Sequence, residues 1–169
     1  RGEEVGQHHD HAQLGELVLE VHDAGENALG DRAEVVIVEL VALGRLGTAV
    51  GFFAGISNDF FGDGLMDGLK AAGVSTKLVK RKDRHTTLAL VKLTDGHARY
   101  SFIDEGSAGR MLEKRDIPKL SKSFQALHFG SISLIPEPSG GTYEALLKKA
   151  SKSFVISLDP NIRPTLIKD

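Results

Sequence analysis

The stretch VGFFAGISNDFFGDGLMDGLKAAGV, residues 50–74, decides the fold of this chain. Its first seven residues, Val50–Ile56, are all apolar or glycine, and such a short continuous run predicts a buried strand. The polar triplet Ser57-Asn58-Asp59 follows directly, and these residue types favour the N-cap position of a helix. The sequence therefore predicts a strand that passes through a capped turn into a helix.

The residues after this cap have the spacing of an amphipathic helix. Phe61, Leu65 and Leu69 recur at i, i+4 and i+8, so they share one helix face. Gly73 is the predicted C-cap, since glycine readily adopts the backbone conformation that ends helices. A strand, a cap and a helix in this order predict one unit of a layered α/β fold.

From residue 40 onward, short β-branched or aromatic runs alternate with longer periodic stretches, which extends this α/β pattern. One pair of runs departs from it: Thr86–Leu93 and Ala98–Ile103 are separated only by a turn that contains Asp95-Gly96, a strong hairpin signal. Apolar and polar residues alternate along the first run. We therefore expect a half-exposed β-hairpin outside a mostly parallel core.

Composition excludes several classes of protein. The chain has 169 residues with 21 Lys+Arg and 23 Asp+Glu, a formal net charge of −2 that gives no general reason to bind nucleic acid. No apolar run approaches the roughly 20 residues of a membrane-spanning helix. The absence of cysteine excludes disulfides and thiolate metal sites and suits a reducing compartment, so we expect a cytoplasmic protein.

The composition changes near residue 40. Residues 1–39 carry ten acidic side chains and two arginines, with no Phe, Trp, Tyr, Pro or Lys, whereas residues 40–169 carry thirteen acidic and nineteen basic side chains. We therefore divide the chain into an atypical acidic segment, 1–39, and an α/β domain, 40–169. The motif His8-His9-Asp10-His11 lies in the first segment, and a solvated polar stretch explains it better than a metal site, because the histidines lack the helical spacing of a metal-binding pair.

The stretch Ser157–Pro164 is the most informative candidate site. It follows an apolar run, and ligands of open α/β sheets bind at the carboxyl ends of the strands. Asp159, Asn161 and Arg163 supply a carboxylate, an amide and a guanidinium between two prolines, and the guanidinium could stabilise charge on a transferred phosphoryl group. The alternative is a proline-rich turn in which Asp159 and Asn161 only cap backbone groups, and the local pattern leaves both open.

Two other polar positions have structural explanations. Asp59 and Asp63 are spaced to serve a helix N-terminus rather than to form a catalytic carboxylate pair. His128 precedes an apolar strand end, where a hydrogen-bonded histidine is commoner than a general base. No arrangement of nucleophile and base stands out in the sequence.

Taken together, residues 42–169 resemble the amino-terminal half of the PfkB, or ribokinase-like, carbohydrate kinases, and within them the bacterial fructokinases. The matching motifs occur in order: ALGRLG at 42–47, GISND at 55–59, LKAAGV at 69–74, RHTTLA at 84–89, YSFIDEGSAG at 100–109, HFGSISL at 128–134 and DPNIRP at 159–164. The resemblance implies a layered αβα core, present in part, and a small β lid whose strands span about 85–104.

The resemblance also implies an activity, transfer of the ATP γ-phosphoryl group to a sugar hydroxyl with Mg²⁺. By motif, Thr87 and Phe102 would be lid residues that face the sugar, and Gly130 and Ser131 would form the pocket floor. Asn161 would join the sugar site, and Arg163 would lie near the transferred phosphate. The lid strands often form dimer interfaces in this family, which implies a possible homodimer.

Asp104 bears on the choice of sugar. Related kinases that act on keto-acid sugars place a cationic residue in this lid stretch, whereas an aspartate repels a carboxylate and accepts hydrogen bonds from hydroxyls. We therefore expect a neutral hexose, with fructose first.

The sequence also departs from the family. The family's first strand with its sugar-binding aspartate, and its paired-glycine motif with an asparagine, are not recognised in residues 1–39. The family's anion hole, catalytic aspartate and adenine pocket would follow Asp169. We therefore expect the chain alone to be inactive, with no nucleotide or metal site of its own. The alternative function is a non-catalytic remnant that binds sugar weakly or self-associates through its lid.

Overall fold

The structure, a computed structural model, describes residues 16–19, 38–94, 97–130 and 132–159. It contains eight strands and three α-helices within these ranges: β1 (Glu16–Leu19), α1 (Val38–Arg45), β2 (Val50–Phe52), β3 (Gly55–Ser57), α2 (Phe60–Ala71), β4 (Lys80–Lys82), β5 (Leu88–Thr94), β6 (His97–Ile103), β7 (Phe124–Gly130), α3 (Ser139–Ala150) and β8 (Val155–Asp159). Two short 3₁₀-helices, Lys114–Asp116 and Ile132–Leu134, lie on either side of β7. The layered α/β fold predicted from the sequence is thus confirmed. None of the helices in the described ranges is long and apolar enough to cross a membrane.

The main sheet is parallel and has the strand order β2-β1-β7-β8. β1 lies inside this sheet, between β2 and β7, although it comes from the acidic segment before residue 40. A strand therefore exists in this segment, in which the family's first strand was not recognised. The change of composition near residue 40 does not mark the edge of the sheet.

The run Val50–Ile56, predicted as one strand, forms two. β2 pairs with β1 in the main sheet, whereas β3 pairs with β4 in a separate two-stranded parallel sheet. The expectation of a single strand is therefore wrong, because the chain changes partners at Phe53-Ala54. Both faces of the run are buried, and consecutive residues serve different cores: Phe52 packs with the α1 and α2 side, and Phe53 with the α3 side.

Helix α2 begins where the sequence predicted. The Asp59 carboxylate accepts a hydrogen bond from the Gly62 amide at 2.8 Å, the geometry of an N-cap. The helix ends at Ala71 with Ala72 as its cap, one residue before the predicted cap. Gly73 follows with φ +78°, in the left-handed region that favours glycine.

The predicted hairpin is confirmed. β5 and β6 are antiparallel and paired in continuous register from Leu88↔Ile103 to Thr94↔His97, and they form a sheet of their own. Residues 95 and 96, the predicted turn, lie outside the described residues. On β6, Phe102 and Ile103 are 47% and 46% exposed, which agrees with a sheet that lies outside the core.

Candidate active site at the hairpin root

The residues that enter and leave the hairpin, 84–87 and 104–110, are here called the hairpin root. The Thr87 hydroxyl donates to Asp104 Oδ1 at 3.0 Å or to Ser107 Oγ at 2.8 Å, and the Ser107 hydroxyl donates to the same carboxylate oxygen at 3.0 Å. Two residues predicted for the sugar site, Thr87 and Asp104, therefore meet in one polar network. Ser107 completes that network and is fully buried.

Arg110 lies beside this network and was not predicted from the sequence. Its Nη1 is 3.6 Å from Asp104 Oδ2, and its Nε donates to the backbone carbonyl of Glu137 at 3.2 Å. Its own amide donates to Ser107 Oγ, and its carbonyl accepts from the Ser139 amide at the start of α3. Arg110 thus connects the hairpin root to the segment between β7 and α3.

Asp59 holds the other side of the hairpin root. Besides capping α2, its carboxylate accepts hydrogen bonds from the Thr86 hydroxyl at 2.7 Å and the Thr86 amide at 2.8 Å. Partial burial opposes ionisation of Asp59, but the hydrogen bonds from Thr86, Gly62 and Ser57 outweigh it and hold the pKa of this carboxyl well below its usual range. Asp59 therefore stays ionised and ties the helix to the first residues of the hairpin.

The carboxyl end of the main sheet carries the other described candidates. Gly130 ends β7 and lies in register with Asp159 at the end of β8. A Cβ on Gly130 would lie 3.3 Å from His128 Nε2 and 3.5 Å from the Asp159 carbonyl oxygen, so there is little room for a side chain at this position. His128 forms a hydrogen bond with Ser157 Oγ at 3.0 Å, in keeping with its predicted structural role. Ser131, Asn161 and Arg163 lie outside the described residues, so their roles stay predictions.

Phe102 lies on β6, opposite Ala89 of β5. Its side chain is about half exposed. Its predicted contact with the sugar stays a prediction.

His85 joins the two chain segments of the hairpin root. Its Nδ1 is 2.9 Å from the Thr86 carbonyl oxygen and its Nε2 is 3.0 Å from the Glu105 carbonyl oxygen. Both ring nitrogens can donate only in the imidazolium form. The Thr86 and Glu105 carbonyls therefore raise the pKa of His85, with the carboxylates of Asp104 and Asp59 adding to this effect.

This arrangement predicts a pH dependence of stability. Because the pKa of folded His85 is raised, its stabilising contribution is fully present below the pKa of a histidine in the unfolded chain and is lost as the pH rises through the folded value. Between about pH 5 and pH 8, we expect the free energy of unfolding of the wild-type chain, relative to that of His85→Gln, to stay level up to about pH 6.5 and then to fall. Urea titrations of both chains across this range measure the difference, and parallel pH profiles would contradict the prediction.

Metal binding is not supported by the described part of the chain. In residues 16–19, 38–94, 97–130 and 132–159, no group of three or more His, Asp or Glu side chains is placed to hold a metal ion. The described residues alone therefore form no complete set of protein ligands, and the Mg²⁺ that the family resemblance implies would need substrate phosphates or water among its ligands. The motif His8-His9-Asp10-His11 lies outside the described residues.

Comparisons with known proteins agree with the fold and the order of the motifs. A family model described as pfkB family carbohydrate kinase matches residues 8–169, a span that begins before residue 40, and the division of the chain there stays a prediction. A fructokinase of Rhizobium leguminosarum bv. trifolii is 54% identical over 129 residues, which are 76% of this chain and 40% of that protein.

Two solved structures show the same fold. The crystal structure of Xylella fastidiosa fructokinase with bound ATP matches with a TM-score of 0.70 and 29% identity over 77% of this chain and 42% of that chain. Vibrio cholerae O395 fructokinase in its fructose, ADP and calcium ion bound form matches with a TM-score of 0.71 and 25% identity over 91% of this chain and 53% of that chain. These matches confirm the predicted ribokinase-like fold, and this chain spans about half the length of these proteins or less.

Proposed function

This chain belongs to the pfkB family of carbohydrate kinases. We propose that it forms one side of the sugar-binding site of an ATP-dependent sugar kinase, and that the sugar is fructose. The network of Thr87, Asp104 and Ser107 carries the proposal, because the buried Ser107 holds the Thr87 hydroxyl and the Asp104 carboxylate, both partly exposed, together at the hairpin root. Such groups accept and donate the hydrogen bonds that sugar hydroxyls form. The relatives described above are named fructokinases, and one was crystallised with fructose.

Each candidate residue has a role in this proposal. Thr87 and Asp104 accept hydrogen bonds from sugar hydroxyls, and Phe102 covers the apolar side of the ring. Gly130 and Ser131 form the floor of the pocket at the end of β7. Asn161 binds a sugar hydroxyl, and the guanidinium of Arg163 stabilises negative charge on the transferred phosphoryl group, because its planar fork matches phosphate oxygens.

ATP is the proposed phosphoryl donor, and Mg²⁺ the proposed metal ion. A divalent cation neutralises charge on the transferred group. The described residues contain no cluster of three or more metal ligands, and the family resemblance implies that the nucleotide site lies outside this chain. The proposed reaction is phosphotransfer to an alcohol, in the cytoplasm, and the isolated chain is expected to bind sugar without measurable turnover.

A second candidate function is self-association without catalysis, and the exposed surface of β6 favours it. Phe102 and Ile103 are consecutive apolar residues on opposite faces of a two-stranded sheet, and each is about half exposed. The edges of a two-stranded sheet can add a strand from another copy. Sedimentation velocity over a range of concentrations tests this homodimer. Concentration-dependent dimers without sugar binding would favour the second function over the first.

The sugar proposal predicts a change of preference on replacing Asp104. In Asp104→Arg, a cation takes the place of the carboxylate, and we expect the ratio of fructose affinity to 2-keto-3-deoxygluconate affinity to fall by about tenfold. Isothermal titration calorimetry with both sugars measures this ratio, and a coupled assay with ATP and Mg²⁺ measures turnover.

Glu105→Arg is the matched control. It makes the same change of charge one residue away, on an exposed side chain. An equal shift of the ratio in Glu105→Arg would mean that general surface charge, rather than Asp104, sets the preference. An unchanged ratio in Asp104→Arg would refute the assignment of Asp104.

A further inference from the structure

We infer that Arg110 determines sugar specificity together with Asp104: the two side chains form a charge-compensated pair, and the pair, rather than the aspartate alone, selects a neutral sugar. This inference rests on the proposed function and deepens it. It also changes the electrostatic argument made from the sequence, in which an uncompensated carboxylate repelled acidic sugars.

The contacts of Asp104 show that both of its carboxylate oxygens are engaged. Oδ1 lies within 3.0 Å of the Thr87 and Ser107 hydroxyls, and Oδ2 lies 3.6 Å from the Arg110 guanidinium. The side chains of Asp104 and Arg110 are 26% and 34% exposed, so the pair is partly shielded from solvent. The negative charge of Asp104 is therefore balanced within the hairpin root.

Arg110 is held at this place by contacts that do not involve Asp104. Its Nε donates to the Glu137 carbonyl, its amide donates to Ser107 Oγ, and its carbonyl accepts from the Ser139 amide. The Glu137 carboxylate does not compete for the guanidinium in this arrangement, because it accepts from the Gly141 amide in the first turn of α3. The position of the Arg110 guanidinium is thus fixed by contacts other than the one with Asp104.

A charge-compensated pair disfavours both anionic and cationic ligands. A sugar acid can bind Arg110 only by displacing the Asp104 carboxylate, and a neutral sugar can hydrogen-bond to the pair without separating it. Removing either partner leaves the charge of the other uncompensated, in a position that is partly shielded from solvent. The two single substitutions should therefore shift sugar preference in opposite directions.

The experiment compares four chains: wild type, Asp104→Asn, Arg110→Met and the double variant. Calorimetry measures the affinity of each for fructose and for 2-keto-3-deoxygluconate. We expect Asp104→Asn to lower the fructose preference by about threefold to fivefold, because it releases the Arg110 cation. We expect Arg110→Met to raise that preference by a similar factor, and the double variant to return towards the wild-type ratio.

Arg84→Met is the matched control. Arg84 is also an arginine of the hairpin root, and its Nη1 donates to the Gly106 carbonyl. We expect it to leave the sugar ratio unchanged. A shift in Arg84→Met as large as that in Arg110→Met would overturn the inference, because any nearby cation would then suffice.

A second measurement is independent of sugar. Urea unfolding of the same four chains forms a double-mutant cycle that gives the coupling between Asp104 and Arg110. The inference would be overturned if fructose binds but the cycle shows no coupling between Asp104 and Arg110, or if Arg110→Met does not change the ratio of the two sugar affinities. Either result would leave the proposed function standing. If the cycle shows coupling but neither sugar binds, the proposed function would be overturned, and with it the role of the pair in sugar selection.

Discussion

Gly62→Ala is expected to lower the free energy of unfolding by about 2–3 kcal/mol, although alanine is the better helix former. A Cβ at this position would lie 2.0 Å from the Ser57 carbonyl oxygen and 3.2 Å from Ile56 Cγ2. The first contact is with backbone at the end of β3, which cannot rotate away as a side chain could. Helix α2 would have to move off the strand, and the Gly62 amide would then move away from the Asp59 cap.

The same helix provides the controls. Gly64 and Gly68 also lie in α2, and a Cβ on either would meet nothing within 4 Å. Gly64→Ala and Gly68→Ala should therefore raise the free energy of unfolding by about 0.5–1 kcal/mol each, because glycine loses more backbone entropy on folding. Urea titrations followed by circular dichroism compare the three variants. A Gly62→Ala chain as stable as the other two would show that the helix does not approach the strand this closely.

The unit formed by β3, its cap and α2 could be predicted because its signals are local. The helix period of Phe61, Leu65 and Leu69 and the cap at Asp59 lie within a few residues of the structure they determine. The second role of Asp59 could not be predicted in this way. Its partner Thr86 is 27 residues away in sequence, and only the folded chain brings the two together.

The strands were harder to predict because strand identity depends on distant partners. Val50–Ile56 is continuously apolar since both of its faces are buried, and nothing in that pattern marks where the chain leaves one sheet for another. β1 was missed for a different reason. The segment around it is acidic and lacks aromatic residues, and the strands that pair with β1, β2 and β7, lie far along the chain from it.

The residues of the candidate network could be named from the sequence only in part. Thr87 and Asp104 came from the family resemblance, and the structure places them in one network. Arg110 has no motif of its own, and its contacts with Asp104 and the Glu137 carbonyl depend on how the hairpin root packs against the segment before α3. Position in the sequence could not distinguish it from other arginines.

Asp59→Ala is expected to destabilise the chain by about 2–4 kcal/mol, from two separate losses. Helix α2 loses its N-cap at the Gly62 amide. In addition, the amide and hydroxyl of Thr86, a residue only 7% exposed, lose the carboxylate that accepts from them. Urea unfolding measures the sum of both losses.

Asp59→Asn separates the two losses. Asparagine is as good an N-cap as aspartate, so helix α2 keeps its first hydrogen bond. With the amide oxygen facing Gly62, however, its NH₂ group faces the Thr86 amide, which is also a donor. We therefore expect a smaller decrease in the free energy of unfolding, about 1–3 kcal/mol, because only the contact with the Thr86 amide in the hairpin root is lost.

Acid stability gives an independent measure of the same contacts. Because hydrogen bonds hold the pKa of Asp59 below its usual range, its stabilising contribution is present above the pKa of an aspartate in the unfolded chain. It is lost as the pH falls through the lowered folded value. Asp59→Asn should therefore remove part of the acid sensitivity of the chain, which urea unfolding of both chains at falling pH measures.

Hydrogen exchange then distinguishes a link to the hairpin from a simple helix cap. If Asp59 ties the hairpin root to α2, Asp59→Asn must speed amide exchange in β5 and β6 while α2 keeps its protection, because the cap survives and the contact with the Thr86 amide does not. Gly62→Ala should do the opposite and loosen the first turn of α2 before the hairpin. Equal protection of β5 and β6 in wild type and Asp59→Asn would mean that the His85 contacts and the Thr87 network hold the hairpin without Asp59.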